Sequence, residues 1–342
     1  MVRFVAEKRY SHHEVMTLLE LSRGENKFTN DGPVKRMLED EISRILRLPD
    51  EKRVVCLGNG TAALHALLYA YEDAAGRSLR WLTPSFTFPT PVVGGFSATV
   101  GDVDETSFLA RRESLEDVDG VIITTPFGAN ASVQYWSDRC KSEGKICIFD
   151  NASSPCSLVG DTSIMCYGNA SFSSLHHTKY MGVGEGGFVV VEREMAEAIN
   201  RVACFGFDAD RNYRARSSNF KMSDISAAYI LSHIRNYDFK SHSEAQDEIV
   251  RFVVSQGLEV LGRGEGVVHG NLPVIFKRKT EKARFASSCV EVNKYYRPLS
   301  PDRDAWQIYD RIINFPLHDR IGEDELSRIK SAIRGEVEDA KR

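Results

Sequence analysis

A chain of 342 residues, 42% apolar and 27% charged, is long enough for a large domain plus a smaller one, and its composition excludes wholesale disorder. Its formal charge of −4 supplies no broad positive field, which argues against nucleic-acid and membrane-surface partners, although the basic run Arg211 to Arg216 could still meet a phosphate. The seven cysteines form no C-x-x-C pair and several sit in apolar runs, so they read as small buried hydrophobes in a reducing compartment, with no metal site expected. No stretch approaches the length of a membrane span and the opening MVRFVAEKRYSHHE has no long apolar segment, so the expectation is a soluble, cytoplasmic protein.

In chain order, Ser11-His12-His13-Glu14 has the form of a capping box that starts a short helix bearing Val15, Leu18 and Leu19. Gly32-Pro33 opens a second helix, with proline in the first turn and Val34, Met37, Leu38, Ile42, Ile45 and Leu46 at the helical period. Arg53 to Leu57 reads as a strand, followed by a glycine-rich turn and a helix through Ala62 to Tyr71. Trp81-Leu82-Thr83 is a strand; the helical stretch after it is interrupted by prolines, and Ala98-Thr99-Val100 leads to Asp102 and Asp104. Gly120 to Thr125 has the character of a buried strand and Val133 to Glu143 of a helix. Lys145 to Phe149 is an apolar strand ending on Asp150, and Phe188 to Val191 is a further apolar run.

Such alternation predicts an α/β layer with a mostly parallel sheet flanked by helices. Beyond Asn219 the period turns helical. A hinge near 235 to 245 divides a large domain over 1–235 from a small α+β domain over 236–342.

Four short segments carry candidate chemistry. Lys179 stands between Ser173-Ser174-Leu175-His176-His177-Thr178 and the glycine-rich Gly182 to Gly187. Taken alone it reads as a solvated surface lysine, and the glycines as a turn. Asp150 lies at the carboxyl end of a buried strand, where α/β sheets place ligands; by itself it reads as a cap or turn residue, but an acid there is also what keeps a pyridinium nitrogen protonated. Gly58-Asn59-Gly60-Thr61-Ala62-Ala63-Leu64, between strand and helix, offers free amides and the Thr61 hydroxyl to a phosphate, without the Walker lysine or a dinucleotide fingerprint. Pro84-Ser85-Phe86-Thr87-Phe88 places two aromatics on a strand-to-loop segment, either core or a platform for a planar ring.

In this order the segments resemble the DegT/StrS sugar aminotransferases, enzymes of fold type I that depend on pyridoxal 5′-phosphate (PLP). The resemblance runs from about Ser11 to Ile234 and returns more weakly from Val292 to Ile333. It includes Phe28 to Pro33, Asn59 to Leu64, Pro84 to Phe88, Asp150, Ser174-x-His176-x-x-Lys179 with Gly184 to Gly187, and Asn219-Phe220-Lys221-Met222-Ser223-Asp224. Tyr295-Tyr296-Arg297-Pro298-Leu299 and Phe315-Pro316-Leu317-His318 resemble late family segments.

The resemblance implies Lys179 as the attachment point and proton shuttle and Asp150 as partner of the ring nitrogen, these two being catalytic. It implies Phe88 as stacking residue, and Gly60, Thr61, Ala62 and Ser174 as phosphate ligands, with Asn219 reaching the phosphate of a neighbouring subunit in a homodimer. His176 and Tyr296 are expected to face substrate: a nucleotide-linked keto-6-deoxy sugar aminated from an amino acid such as glutamate, in amino-sugar biosynthesis. His three residues before the lysine points to the 4-keto branch. The alternatives are a 3-keto enzyme and a non-catalytic, regulatory PLP-binding relative. The chain departs from the family three residues after Asp150, where Gln or His near the ring oxygen is usual and Ser153 stands as the expected cofactor contact, and at Leu175, where Phe is usual.

Overall fold

The computed structural model describes residues 1–207, 212–213 and 216–339. Helix α1 (His12–Gly24) starts at Ser11, whose hydroxyl accepts the Glu14 amide at 3.4 Å. The reciprocal half of the expected capping box is not formed. The Glu14 carboxylate instead accepts from the Ser232 hydroxyl at 2.7 Å and pairs with Arg235 at 3.2 Å, because tertiary partners outcompete its own amide. Helix α2 (Pro33–Ile45) starts at the expected proline, and its cap Gly32 has no side chain. The missing acceptor comes from far along the chain: buried Asp224 takes the amides of Val34 at 3.0 Å and Lys35 at 3.1 Å and the Ser22 hydroxyl at 2.6 Å. A Cβ on Gly32 would lie 2.4 Å from that carboxylate, so the close approach requires glycine.

Strand β1 (Lys52–Leu57) leads into helix α3 (Gly60–Ala75), longer than its periodicity suggested, and then β2 (Trp81–Pro84). The proline-interrupted stretch forms only a 3-10 turn over Thr90–Val92, since prolines 89 and 91 remove the donors a longer helix needs. Strands β3 (Thr99–Gly101) and β4 (Gly120–Thr124), helix α4 (Val133–Ser142) and strand β5 (Ile146–Asp150) follow. A hairpin of β6 (Leu158–Val159) and β7 (Thr162–Ser163) precedes β8 (Ala170–Ser174), β9 (Gly187–Glu192) and α5 (Arg193–Val202).

The main sheet has the order β1-β9-β8-β5-β4-β2-β3. Six of its seven strands point the same way, and β9 runs antiparallel between β8 and β1. Both faces are covered, as a mostly parallel sheet requires. Val54, Cys56, Phe188 and Val190 pack under α1, α2 and α6 (Asp224–Asn236), while Val55, Leu57, Val189 and Val191 pack under α3 and α5. The period-2 alternation along β1 and β9 thus divides two separate cores.

After α7 (Phe239–Ser255), strands β10 (Glu259–Val260), β11 (Leu272–Ile275) and β12 (Ile312–Phe315) form a small antiparallel sheet, with α8 (Arg303–Arg311) and α9 (Glu323–Asp339) around it. Its own core includes Ile249, Val274, Ile313, Phe315 and Ile329, joined by Val2 from the other end of the chain, which pairs with Val290. A further cluster joins Phe86, Val103 and Phe127 of the large unit to Leu261, Ile275, Ile308 and Ile312 of the small one. No helix among the described residues is long and apolar enough to cross a membrane.

Candidate active site

The topology brings the motifs together. β4, β5 and β8 run parallel, so Thr124, Asp150 and Ser174 end on one edge of the sheet. Because β9 is antiparallel, its first residue Gly187 lies beside both Ser174 and Leu57, the last residue of β1. The glycine-rich turn after β1 and the loop between β8 and β9 therefore meet at the carboxyl edge, the usual ligand position of such sheets. The fit is tight. A Cβ on Gly187 would sit 2.5 Å from the Asn59 carbonyl carbon, and one on Gly60 would sit 3.0 Å from the Ser174 Cβ. Asn59 caps α3 by accepting the Ala62 amide at 2.8 Å.

The loop over 175–186 is stapled across its base by Leu175 N–H to the Gly186 carbonyl at 2.7 Å and His177 N–H to the Gly184 carbonyl at 2.8 Å. Gly182 packs where a Cβ would lie 2.2 Å from the His176 carbonyl. Lys179 sits at the loop's tip, its amide donating to His176 at 2.8 Å, its carbonyl accepting from the Lys8 ammonium at 2.8 Å.

A cavity of about 580 Å³, within the usual range of small-molecule sites, is lined by Gly60, Thr61, Phe88, Asp150, Ser153, Ser174, His176, Lys179 and Tyr296, among others. Nine of the expected site residues thus share one space. Ala62 does not line it, and its amide is engaged by Asn59. Asn219 is exposed, pairs through its backbone with Cys204, and lies outside its own chain's cavity. Of the basic run, Arg211 and Arg214 lie outside the described residues, and Arg216 pairs with Glu72 at 3.5 Å.

The electrostatics of the two central groups follow from burial. Asp150 is 3% exposed, and loss of water pushes its carboxyl up to about 6 against the pull of the Ala152 amide at 2.9 Å, the Lys179 charge and the Thr124 hydroxyl. Desolvation lowers the Lys179 ammonium, and Asp150 only partly opposes it. An amine so placed is free to act as a nucleophile or base. His176 is held at both ends: its Nδ1 accepts the Thr178 amide at 3.2 Å and lies 2.9 Å from the Thr178 hydroxyl, and its Nε2 is 3.6 Å from Glu185. With Nδ1 accepting, the proton of the neutral ring belongs on Nε2.

Phe4, Asn271 and Tyr295 also line the cavity, and none had been singled out individually from the sequence. Phe4 reaches it from the N-terminal segment, 5.9 Å from the Tyr295 ring, with its amide bonded to Glu291 at 2.9 Å. No local pattern around Phe4 marks it, since its position depends on Val2 pairing with the small unit.

These residues fit a phosphorylated pyridine. Phe88 is 57% exposed although it lines a cavity, leaving a ring face without a protein partner. A buried carboxylate stands ready for a ring cation, and the α3 N-terminus with Thr61 and Ser174 is a cradle for an anion.

Residues 10–256 match the model of the DegT/DnrJ/EryC1/StrS aminotransferase family. The chain belongs to that family. This DegT-family protein is an aminotransferase, and PLP is its cofactor. It is 23% identical to a Shigella dysenteriae protein named dTDP-4-amino-4,6-dideoxy-D-glucose transaminase, over 94% of this chain and 95% of that one. Its fold is similar to that of a Bacillus cereus chain provisionally named a PLP-dependent aminotransferase, with TM-score 0.85 and 19% identity over 97% of this chain and 99% of that one. It is also similar to DesI, solved with its TDP-sugar product, with TM-score 0.80 and 20% identity over 96% and 91% of the two chains.

Proposed function

We propose that this aminotransferase moves an amino group from an amino acid, glutamate in the first instance, to C4 of a nucleotide-linked 4-keto-6-deoxy hexose. The observation that carries the reading is the convergence of Lys179, Asp150, Thr61, Ser174 and the open face of Phe88 on one cavity. The name of the Shigella relative supports a nucleotide sugar and the 4-position.

PLP supplies the electron sink that makes the donor α-proton removable. Lys179 anchors the cofactor through its ε-amino group, and the same amine then takes the proton from the donor α-carbon and delivers one to the acceptor carbon in the reverse half. Its lowered basicity keeps it available for both tasks. Asp150 holds the proton on the ring nitrogen. The α3 N-terminus, Thr61 and Ser174 hold the phosphate, which fixes orientation at the reacting carbon. His176, clamped between Thr178 and Glu185, holds one wall of the space for the acceptor sugar. Asn219, turned away from its own cavity, serves the phosphate of a second copy in a homodimer.

Borohydride reduction of the yellow holoenzyme followed by peptide mapping should label Lys179, and label on another lysine would refute its role. Offered 3-keto and 4-keto nucleotide sugars with glutamate, the enzyme should favour the 4-keto substrate in kcat/KM by a factor on the order of a hundred, the scale set by leaving one buried polar group unpaired. Equal use of both would overturn the regiochemistry and leave the aminotransferase intact.

A further inference from the structure

Ser153 occupies the position from which a longer Gln or His side chain would approach the cofactor's ring oxygen, and it is too short for that task. Its hydroxyl is turned to the Thr125 carbonyl at 3.4 Å, and its own carbonyl is pinned against Gly270, where a Cβ would fall 2.1 Å away. The backbone is therefore not free to carry Ser153 deeper into the cavity.

The space beside it is filled from elsewhere. Tyr296 lines the same cavity as Asp150, Ser153 and Lys179. Burial pushes its phenol up, the Asp150 charge adds to the rise, and hydrogen bonding with Ser153 opposes it. The residue adopts φ 62°, a left-handed backbone that a bulky aromatic rarely takes. That conformation is held by the Phe127 ring at 4.9 Å and the Phe86 ring at 5.4 Å, both buried. An aromatic kept in a costly backbone, on the wall of the cavity that Asp150 and Ser153 also line, is a device for aiming a hydroxyl.

We infer that Tyr296 replaces the absent Gln or His, its hydroxyl donating to the ring oxygen of the cofactor while the Ser153 hydroxyl swings from its long 3.4 Å contact with Thr125 to donate to the phenol oxygen. This rests on the PLP reading and reassigns Tyr296 from the sugar to the cofactor. Burial and the Asp150 charge keep the phenol protonated, so it is a donor at all working pH values. Donation to the ring oxygen stabilises negative charge there. That charge then supports the protonated Lys179–cofactor linkage less strongly, and the linkage releases its proton at lower pH.

The test is a pH titration of the visible absorbance of the full-length holoenzyme, which reads the linkage directly and requires no turnover. Tyr296→Phe, which keeps the ring among Phe86 and Phe127, should raise the titration midpoint by about one pH unit and weaken PLP binding about tenfold, the scale of one hydrogen bond to a charged group. Ser153→Ala should raise the midpoint by less, and placing glutamine at 153 in the Tyr296→Phe background should restore part of it. A midpoint unmoved in Tyr296→Phe would overturn the assignment. Should that variant fail to fold, Ser153→Ala decides alone, a rise supporting the tyrosine and no rise sinking it. A wild-type protein that develops no visible band with PLP would instead sink the cofactor reading on which the inference stands.

Discussion

The floor and the rim of the cavity are built by different routes. The floor, made of Gly60, Thr61, Asp150, Ser174 and Lys179, comes from the ends of β5 and β8 and the turns that follow β1 and β8, each within a short segment of its own character. The rim, made of Phe4, Asn271 and Tyr295, comes from the N-terminal segment and the small unit, which meet across most of the chain. Chemistry that depends on a strand end can be written locally. Shape that selects a second substrate depends on how separate layers meet.

If the floor carries the reaction, the largest effect should follow from Asp150→Asn, which preserves volume but leaves the ring nitrogen without its counter-charge. A loss of about a hundredfold or more in kcat, near 3 kcal/mol, is expected in steady-state assays. Near-normal turnover would reduce Asp150 to a cap of the Ala152 turn. The same carboxylate should leave a pH signature. Burial holds its carboxyl up to about 6, so it is charged above that pH and neutral below it. Cofactor affinity of the apoprotein should therefore fall as pH drops through about 6, by at most about tenfold per unit, and fluorescence titrations of the asparagine variant should lack that inflection.

Between floor and rim in size stands Gly187→Ala. Its methyl would fall 2.5 Å from the backbone of Asn59, so β9 and the turn after β1 must separate. The expected cost is about 1–3 kcal/mol of stability in denaturant unfolding, with PLP affinity lost alongside it. Lost stability with unchanged affinity would show that the turn does not hold the phosphate. The smallest effect belongs to the rim. Phe4→Ala should raise the acceptor KM about threefold to tenfold with kcat nearly kept, roughly 1 kcal/mol of aromatic contact. A larger fall in kcat than in acceptor affinity would erase the distinction between the two regions.

The sequence made the floor readable and left the rim dark, and the reasons lie in particular residues. Asp150 and the Asn59 to Thr61 turn sit in apolar or glycine-rich contexts whose local pattern already implies a strand end or a helix start, while Lys179 stood out only through the family resemblance of its flanking serines, histidine and glycines. β8 went unmarked because Ser171, Ser173 and Ser174 dilute its apolar signal; in the fold Ser171 and Ser173 are buried, and Ser173 donates to the Asn151 carbonyl at 2.9 Å. Helix α5 did carry a signal, the stripe Ala196, Ile199, Val202, which went unused. The antiparallel direction of β9 could not be read from Phe188 to Val191, since an apolar run buried on both faces looks alike either way round. Phe4 and Asn271 gave no signal, because their partners Glu291 and Asn314 lie 287 and 43 residues away in the chain.

Asp224 shows that a stretch of sequence grouped with a reaction can answer to two unrelated obligations. Five residues after Asn219, which faces outward, its carboxylate is sealed inside the molecule as the missing cap of a helix nearly two hundred residues earlier. A lesion there would be misread in any screen that counts product. The molecules that did assemble would turn over normally at each site, while the number of assembled molecules fell. Specific activity per bound cofactor, set against the yield of cofactor-loaded protein, tells an injured catalyst from a scarce one, and Asp224 belongs to the second kind.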